Sequence, residues 1–358
     1  MKGRLTCFAK AGDRFSYAVS AKRGDLIYTK QIVSASGNHI DLIGELKRIA
    51  DLCGASLTDV VKLNILIPDT TPERQSAAEK MVTDHWPVGK TPAMMFIPGK
   101  IPGGAALACD AVIAVPTGGV EGKRGGSEYS IAPQVKDLIF ASGRVGKGGS
   151  YRQSIPGAIN QLLDDYIKPQ GSSRSDVVQI RAYVDDIDKV EEADEEIGKM
   201  FNGYSLPPVI YIEWARPGMV EIEMIATAPG RKETDEALTF SSPKDMKPSP
   251  VFSRVAILHA PEIIYMSGIV GGNVESPQAE VVSLFEELKK RSEAVGSDLR
   301  HLAKATYLVS DKEVDKAVSE VRPDYYDPAR PPAASKIFRN SVGPGQNLLV
   351  DMIAVPAP

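Results

Sequence analysis

One pattern of ten residues, met three times at intervals of about 120 positions, limits what this chain can fold into more than any other feature. It runs from Val60 to Asp69 (VVKLNILIPD), from Val177 to Asp186 (VVQIRAYVDD) and from Leu302 to Asp311 (LAKATYLVSD). Each copy is an apolar-rich run of strand length that ends on Asp. So long a period is that of a whole small domain rather than a solenoid of short units. Divided among three, 358 residues leave each copy enough chain for a core of its own.

Other landmarks keep the same order. Upstream in each copy lies an apolar strand, Leu26 to Lys30, Leu138 to Gly143 and Ile263 to Gly268. Downstream an acid opens an apolar run: Asp110 before Ala111-Val112-Ile113, Glu223 before Met224-Ile225-Ala226, Asp351 before Met352-Ile353-Ala354. The steps from Asp69 to Asp110, from Asp186 to Glu223 and from Asp311 to Asp351 are 41, 37 and 40 residues.

Helical spacing fills the intervals. Leu42, Leu46, Ile49 and Cys53 form one apolar stripe, and Gly54 is placed to end the helix. Ile155, Ile159, Leu162 and Tyr166 precede Gly171, and Val281, Leu284, Phe285, Leu288 and Val295 precede Gly296, in the same way. After each Asp the sequence predicts a polar helix, over Pro72 to His85, Val190 to Phe201 and Glu313 to Val321, with the Asp or a nearby Ser or Thr as N-cap. The order β-β-α-β-α-β-β with mixed strand pairing predicts an α+β fold. The expected domains are residues 1–116, 128–229 and 250–358. The segments Thr117 to Gly126 and Gly230 to Pro250, rich in Gly, Pro or charge, read as exposed linkers.

Composition removes several function classes. A net charge of −4 leaves no basic footprint for nucleic acid. No leader-like apolar run follows Met1, and no run approaches the ~18 residues of a membrane span, so a cytoplasmic protein with no membrane partner is expected. Cys7, Cys53 and Cys109 fall in the first copy without Cys-x-x-Cys spacing, so neither a disulfide framework nor a zinc site is expected. His39, His85, His259 and His301 are scattered singly and read as surface or capping residues. Phosphate-loop, dinucleotide, nucleophile-elbow and His-Glu-x-x-His signatures are missing, which gives no support for a cofactor.

The succession of a Ser-Gly strand end, of Gly54-Ala55-Ser56-Leu57-Thr58-Asp59-Val60-Val61, of a Pro-Pro or Pro-Ala loop and of Val220-Glu221-Ile222-Glu223-Met224-Ile225-Ala226 resembles the RidA/YjgF family of reactive imine and enamine deaminases, in three diverged tandem copies. The resemblance implies chorismate-mutase-like α+β domains that form trimers with ligand sites between subunits. Here the trimer would be built into one polypeptide, a monomeric pseudo-trimer with three unlike clefts, open to further self-association.

Departures from the family pattern bear on chemistry. The family's Pro-Ala-Arg arginine, which holds a substrate carboxylate, is replaced by Met94, Val209 and Ala334. Lys90 and Arg330, each two residues before the Pro of its loop, are candidates to supply the charge. The Glu that orders the attacking water is matched by Glu221 alone, with Ala108 and Leu349 in the other copies. Alternation puts Glu221 and Glu223 on one face of their strand and Val220, Ile222 and Met224 on the other. Glu223, Asp110 and Asp351 recur in all copies and suggest a role at the interfaces. Tyr211, with Phe96 and Lys336 in the other copies, stands where many relatives have Cys. Ser142, Gly143, Ser267 and Gly268 match the family's Ser-Gly, where the first copy has Thr29-Lys30. Arg144 and Lys30 are further cations at strand ends, and Tyr17 and Tyr129 match a Tyr that lines the family's site, with Phe252 in the third copy.

The resemblance therefore implies a metal-free hydrolase or deaminase acting on a C=N or activated C-N bond of a small metabolite. Glu221, with Tyr211, is its expected catalytic pair. Ser142, Gly143, Arg144, Ser267, Gly268, Tyr129, Arg330 and Lys90 are its expected substrate contacts. The alternative is a non-catalytic binding or assembly module that has lost the carboxylate-binding arginine.

Overall fold

The structure, a computed structural model, describes residues 5–11, 13–22, 24–115, 127–216, 220–243, 245–272 and 274–358. The expected linker from Thr117 to Gly126 lies outside the described residues. In chain order the elements begin with β1 (Leu5–Phe8), β2 (Ala18–Lys22), β3 (Asp25–Thr29), β4 (Ile32–Ser34), α1 (His39–Leu52), β5 (Val60–Ile67), α2 (Pro72–Thr83), β6 (Ala93–Pro98) and β7 (Leu107–Val115). Next come β8 (Tyr129–Ala132), β9 (Leu138–Val145), α3 (Tyr151–Gln161), β10 (Val177–Val184), α4 (Val190–Met200), β11 (Val209–Glu213) and β12 (Val220–Thr227). The chain ends with β13 (Leu238–Ser241), β14 (Val255–Leu258), β15 (Glu262–Met266), β16 (Ile269–Val270), α5 (Pro277–Ala294), β17 (Leu302–Val309), α6 (Lys312–Tyr325), β18 (Ala333–Phe338) and β19 (Leu348–Ala354). The fold is mixed α+β.

Three sheets share one strand order. They read β6-β5-β7-β3-β8, β11-β10-β12-β9-β14-β13 and β18-β17-β19-β15-β2-β1. In each, the strand that carries the repeated pattern lies parallel to one neighbour and antiparallel to the other. Each sheet and its two helices are called here the first, second and third unit.

The edges of the sheets cross the expected domain limits. Strand β8, which begins the second expected domain, pairs with β3 of the first unit. Strand β14 pairs with β9 of the second unit, and β2, near the start of the chain, pairs with β15 of the third. Every sheet is thus completed by a strand from the next segment, and the last by a strand from the first, which closes the chain into a ring. The segment expected as a linker before Pro250 holds β13, which pairs with β14 at Leu238–Leu258.

Helix limits follow local chemistry. Asn38 caps α1 by accepting from the Ile40 N–H, and Gly54, at φ 69°, takes the left-handed turn that ends it. Asp311 caps α6 by accepting from Glu313 and Val314. α3 continues as a π-helical turn from Leu162 to Ile167 and stops at Gly171, φ 80°.

The sheets are covered on both faces. Strands β5, β7, β17 and β19 are buried at every position, which strict strand alternation would not give for a sheet with one wet face. On the outer faces the helices close one core per unit. The inner faces meet in two shared cores. Val61, Val178 and Ala303 enter one, and Leu66, Tyr183 and Leu308 the other. Between the shared cores each repeated strand turns two polar residues inward. A register shift near the start of each strand makes this possible.

Candidate functional site

The polar layer between the shared cores is built from equivalent positions of the three units. Lys62 of the first pairs with Asp351 of the third, and Lys304 of the third pairs with Glu223 of the second. The third member of the set is Gln179, which carries no charge, so Asp110 of the first unit has no lysine. Arg181 fills the gap from two residues further along β10. Its guanidinium lies 3.6 Å from Asp110, 3.9 Å from Glu223 and 4.0 Å from Asp351. Three cations thus face three acids in a small cavity of about 40 Å³, as buried charges require. Burial raises the Asp110 carboxyl against the pull of Arg181. Burial alone would raise Glu223 too, but Lys304 and Arg181 draw it below its ordinary value.

Glu221 lies beside this layer, where the second unit meets the third. It is only 7% exposed, so its face of β12 borders the inter-unit interior rather than water. Its carboxylate rests against the α-carbon of Gly143, where any β-carbon would overlap it. Ser335 of the third unit joins the two acids. Its hydroxyl accepts from the Gly143 N–H at 2.9 Å and donates to Glu223 at 2.6 Å, and it is close enough to Glu221 to favour the ionised form of that carboxyl. Burial, with Glu223 next in effect, pushes Glu221 up to about 7 against the opposing pull of Lys304, Ser335 and Arg216.

Arg216 crosses the same junction. Its guanidinium lies over the Trp214 ring of its own unit, at 6.0 Å, and over Phe338 of the third unit, at 5.9 Å. It is exposed, and its charge reaches Glu221. Neither Arg216 nor Ser335 belongs to a repeated motif, so nothing along the chain marks them. Only the meeting of the second and third units, where β18 lies against β9, brings them to Glu221.

Ser142 holds this junction together. Its hydroxyl donates to Ser253 O at 2.5 Å and accepts from the Ala334 N–H at 2.8 Å. Ser267 does the same between the third and first units, donating to Ser16 O at 2.7 Å and accepting from the Met94 N–H at 2.8 Å. Gly268 donates to Met94 O at 2.7 Å. Both serine hydroxyls are therefore committed to protein partners. Between the first and second units the corresponding link is Gln31, whose amide bonds to Tyr211 O and Tyr211 N.

The structure separates the expected catalytic pair. Tyr211 belongs to the junction of the first and second units, and its hydroxyl donates to Asp194 at 2.8 Å. Burial and that carboxylate raise its pKa far above the ordinary value. It shares no hydrogen-bond partner with Glu221 and lies at another junction.

Four expected contacts lie elsewhere as well. Arg144 pairs in register with Ile222, on the helix face, and reaches Asp165 at 3.6 Å and the Tyr166 ring at 5.5 Å. The two-residue period of the strand turns it away from Glu221. Arg330 donates to Glu236 at 3.0 Å and to Leu238 O at 3.2 Å, tied to the segment that carries β13. Lys90 is exposed, and its charge acts on Cys7. Tyr129 is buried in the core of the first unit beside Cys53.

His259 is not a surface residue. It is 6% exposed, with Nδ1 2.6 Å from Asp137 and Nε2 2.9 Å from the Thr239 hydroxyl. That chain of bonds ties β13 and β14 to the start of β9. Cys7, Cys53 and Cys109 form no disulfide with one another. Among the described residues no group of three or more His, Cys, Asp or Glu is placed to hold a metal ion, and no helix is long and apolar enough to cross a membrane.

No family model and no curated protein sequence matches the chain. Among solved structures, a YjgF-family protein from Neisseria meningitidis is similar at 17% identity, over 34% of this chain and 96% of that one, with a TM-score of 0.26. The Rid-family protein YyfB of unknown function from Yersinia pestis is similar at 18% identity, over 33% of this chain and 98% of that one, with a TM-score of 0.31. RidA from an Antarctic Psychrobacter is similar at 21% identity, over 26% and 79%, with a TM-score of 0.24.

Proposed function

We propose that the chain is an intramolecular pseudo-trimer of three diverged RidA-like domains, and that it hydrolyses a C=N or activated C-N bond of a small metabolite where the second unit meets the third. The observation that carries this proposal is the Glu221 carboxyl, buried at that junction against Gly143 and Ser335. The shared strand order of the three sheets and the repeated sequence landmarks support the triplication.

A carboxyl near 7 is half ionised at neutral pH and can serve as base and then as acid. In the proposed reaction ionised Glu221 takes a proton from water as the water oxygen bonds to the imine carbon. The C=N π electrons go to nitrogen, which receives that proton back from Glu221. Glu221 then takes the hydroxyl proton of the carbinolamine and passes it to nitrogen, the oxygen electrons form the C=O bond as the C-N bond breaks, and ammonia leaves a carbonyl product. Arg216 takes the role expected of Arg144 or Arg330 and holds an anionic group of the substrate. Its place over Trp214 and Phe338 leaves the guanidinium edge for such a group.

The test is ammonia release from freshly generated imines with and without a carboxylate. Wild-type protein should accelerate hydrolysis of the carboxylate-bearing imines. Glu221→Gln should lose about 10²–10⁴-fold in kcat with its fold intact, and Arg216→Met should raise KM chiefly for anionic substrates. Undiminished turnover in Glu221→Gln, or no acceleration of any imine, would refute the proposal.

A further inference from the structure

The outer edge of the first sheet differs from those of the other two. In the second and third sheets the strand taken from the next segment is itself covered by one more, β13 over β14 and β1 over β2. Both covering strands have four residues, open with Leu-Thr and run antiparallel, with Leu238 opposite Leu258 and Leu5 opposite Ala21. In the first sheet the equivalent strand is β8, and among the described residues no strand lies beyond it. Chain length and sequence give the reason. Residues 228–254 lead from β12 to β14 and carry β13, whereas only residues 116–128 lead from β7 to β8. From Thr117 to Gly126 these contain no Leu and no aromatic residue, so they do not repeat the pattern of the covering strands.

The backbone of β8 is set for such a strand. The Lys30 N–H donates to Glu128 O at 2.7 Å. Alternation along an antiparallel ladder then directs the main-chain groups of Ser130 and Ala132 to β3, and those of Tyr129 and Ile131 outward. Tyr129 and Ile131 are the counterparts of Val255 and Ile257, which lie opposite Ser241 and Thr239 of β13. Ser130 is half-buried, while its counterparts Ala256 and Val19, in the sheets that have the covering strand, are buried. The sequence Tyr-Ser-Ile-Ala of β8 has neither a charge nor a proline to repel a neighbour. Pro133 follows it and limits pairing to about the length of β13 and β1.

We infer that β8 is a docking edge for an extended segment of another protein, added antiparallel and carrying the pattern Leu-Thr followed by an apolar residue. The main chain of the segment bonds to Tyr129 and Ile131, which supplies affinity, and its side chains supply specificity. The first and third of these continue the shared core, as Leu238 and Phe240 do beside β14 and as Leu5 and Cys7 do beside β2. A second copy of the chain does not offer β1 or β13 for this purpose, because each is already paired in its own sheet. The docking edge is independent of the role of Glu221.

The test is amide hydrogen exchange, read by NMR on the full chain, alone and with a synthetic peptide of residues 236–243, which carries the β13 pattern. In the chain alone the Tyr129 and Ile131 amides should exchange at least about a hundredfold faster than those of Val255 and Ile257. The peptide should slow Tyr129 and Ile131 saturably, with a Kd of about 1 mM or tighter. N-methylation of the peptide at Thr239, whose N–H faces β8 in this docking, should weaken binding about tenfold or more, and N-methylation at Phe240 should not. Ile131→Pro, which removes an outward N–H from an edge strand, should weaken it likewise; the methylated peptides decide the matter if that variant does not fold. Slow exchange of Tyr129 and Ile131 in the chain alone would show that its own residues cover the edge, and protection that grows with protein concentration would show a second copy there. Either result, no protection at about 10 mM peptide, or equal binding of the two methylated peptides would overturn the inference.

Discussion

The Glu221 carboxylate lies against the α-carbon of Gly143, and a β-carbon at position 143 would force the Glu221 side chain to shift. Glycine is needed there for space and not for backbone conformation, since its φ is not among the positive ones. Gly143→Ala should therefore destabilise the fold by about 1–3 kcal/mol through overpacking. The double variant Gly143→Ala with Glu221→Ala should recover most of the loss. Urea denaturation of the four proteins of the cycle measures the coupling, and additive effects would show that the two residues do not constrain each other.

Stability should depend on pH through Glu221. Burial and Glu223 raise this carboxyl from an ordinary value of 4.5 to about 7. A carboxyl raised in the folded state favours folding while protonated. Its contribution is complete below 4.5 and is lost as pH rises through about 7. Glu221→Gln removes that loss. The variant should match wild type near pH 4.5 and exceed it by up to about 3 kcal/mol at about pH 8, read from denaturation midpoints at the two pH values.

Arg181 does for Asp110 what a lysine does for each of the other two acids. Arg181→Met leaves three buried acids with two lysines and should destabilise by about 3–5 kcal/mol. Adding Gln179→Lys places a lysine at the position equivalent to Lys62 and Lys304 and should restore more than half of the loss. Thermal denaturation of the single and double variants decides it. No recovery would mean that the lysine position of β10 does not reach Asp110.

The serine hydroxyls that join the units should matter to stability. Ser142→Ala leaves Ser253 O and the Ala334 N–H without their partner, and Ser267→Ala does the same to Ser16 O and the Met94 N–H. Each should cost about 1–3 kcal/mol, measured by denaturant titration. A change near zero would leave the junctions to apolar packing alone.

The sequence by itself determined the elements. The strand patterns, the apolar stripes of α1, α3 and α5 and the capping positions of Asp311 and Gly54 depend on neighbours a few residues away, so they could be read along the chain. The repeat also marked Asp110, Glu223 and Asp351 as equivalent acids. It could not give their partners, because Lys62 and Asp351 are 289 residues apart and meet only when the sheets pack. The pairing of β2 with β15, the turning of Arg144 onto the helix face, the burial of His259 and the separation of Tyr211 from Glu221 were decided in the same way, by which strand lies beside which. Ser335 and Arg216 reach Glu221 through the junction between units, and that junction arises from tertiary packing alone. Local propensity is a property of short segments, whereas burial, charge pairing and the titration of Glu221 depend on groups brought together from distant parts of the chain.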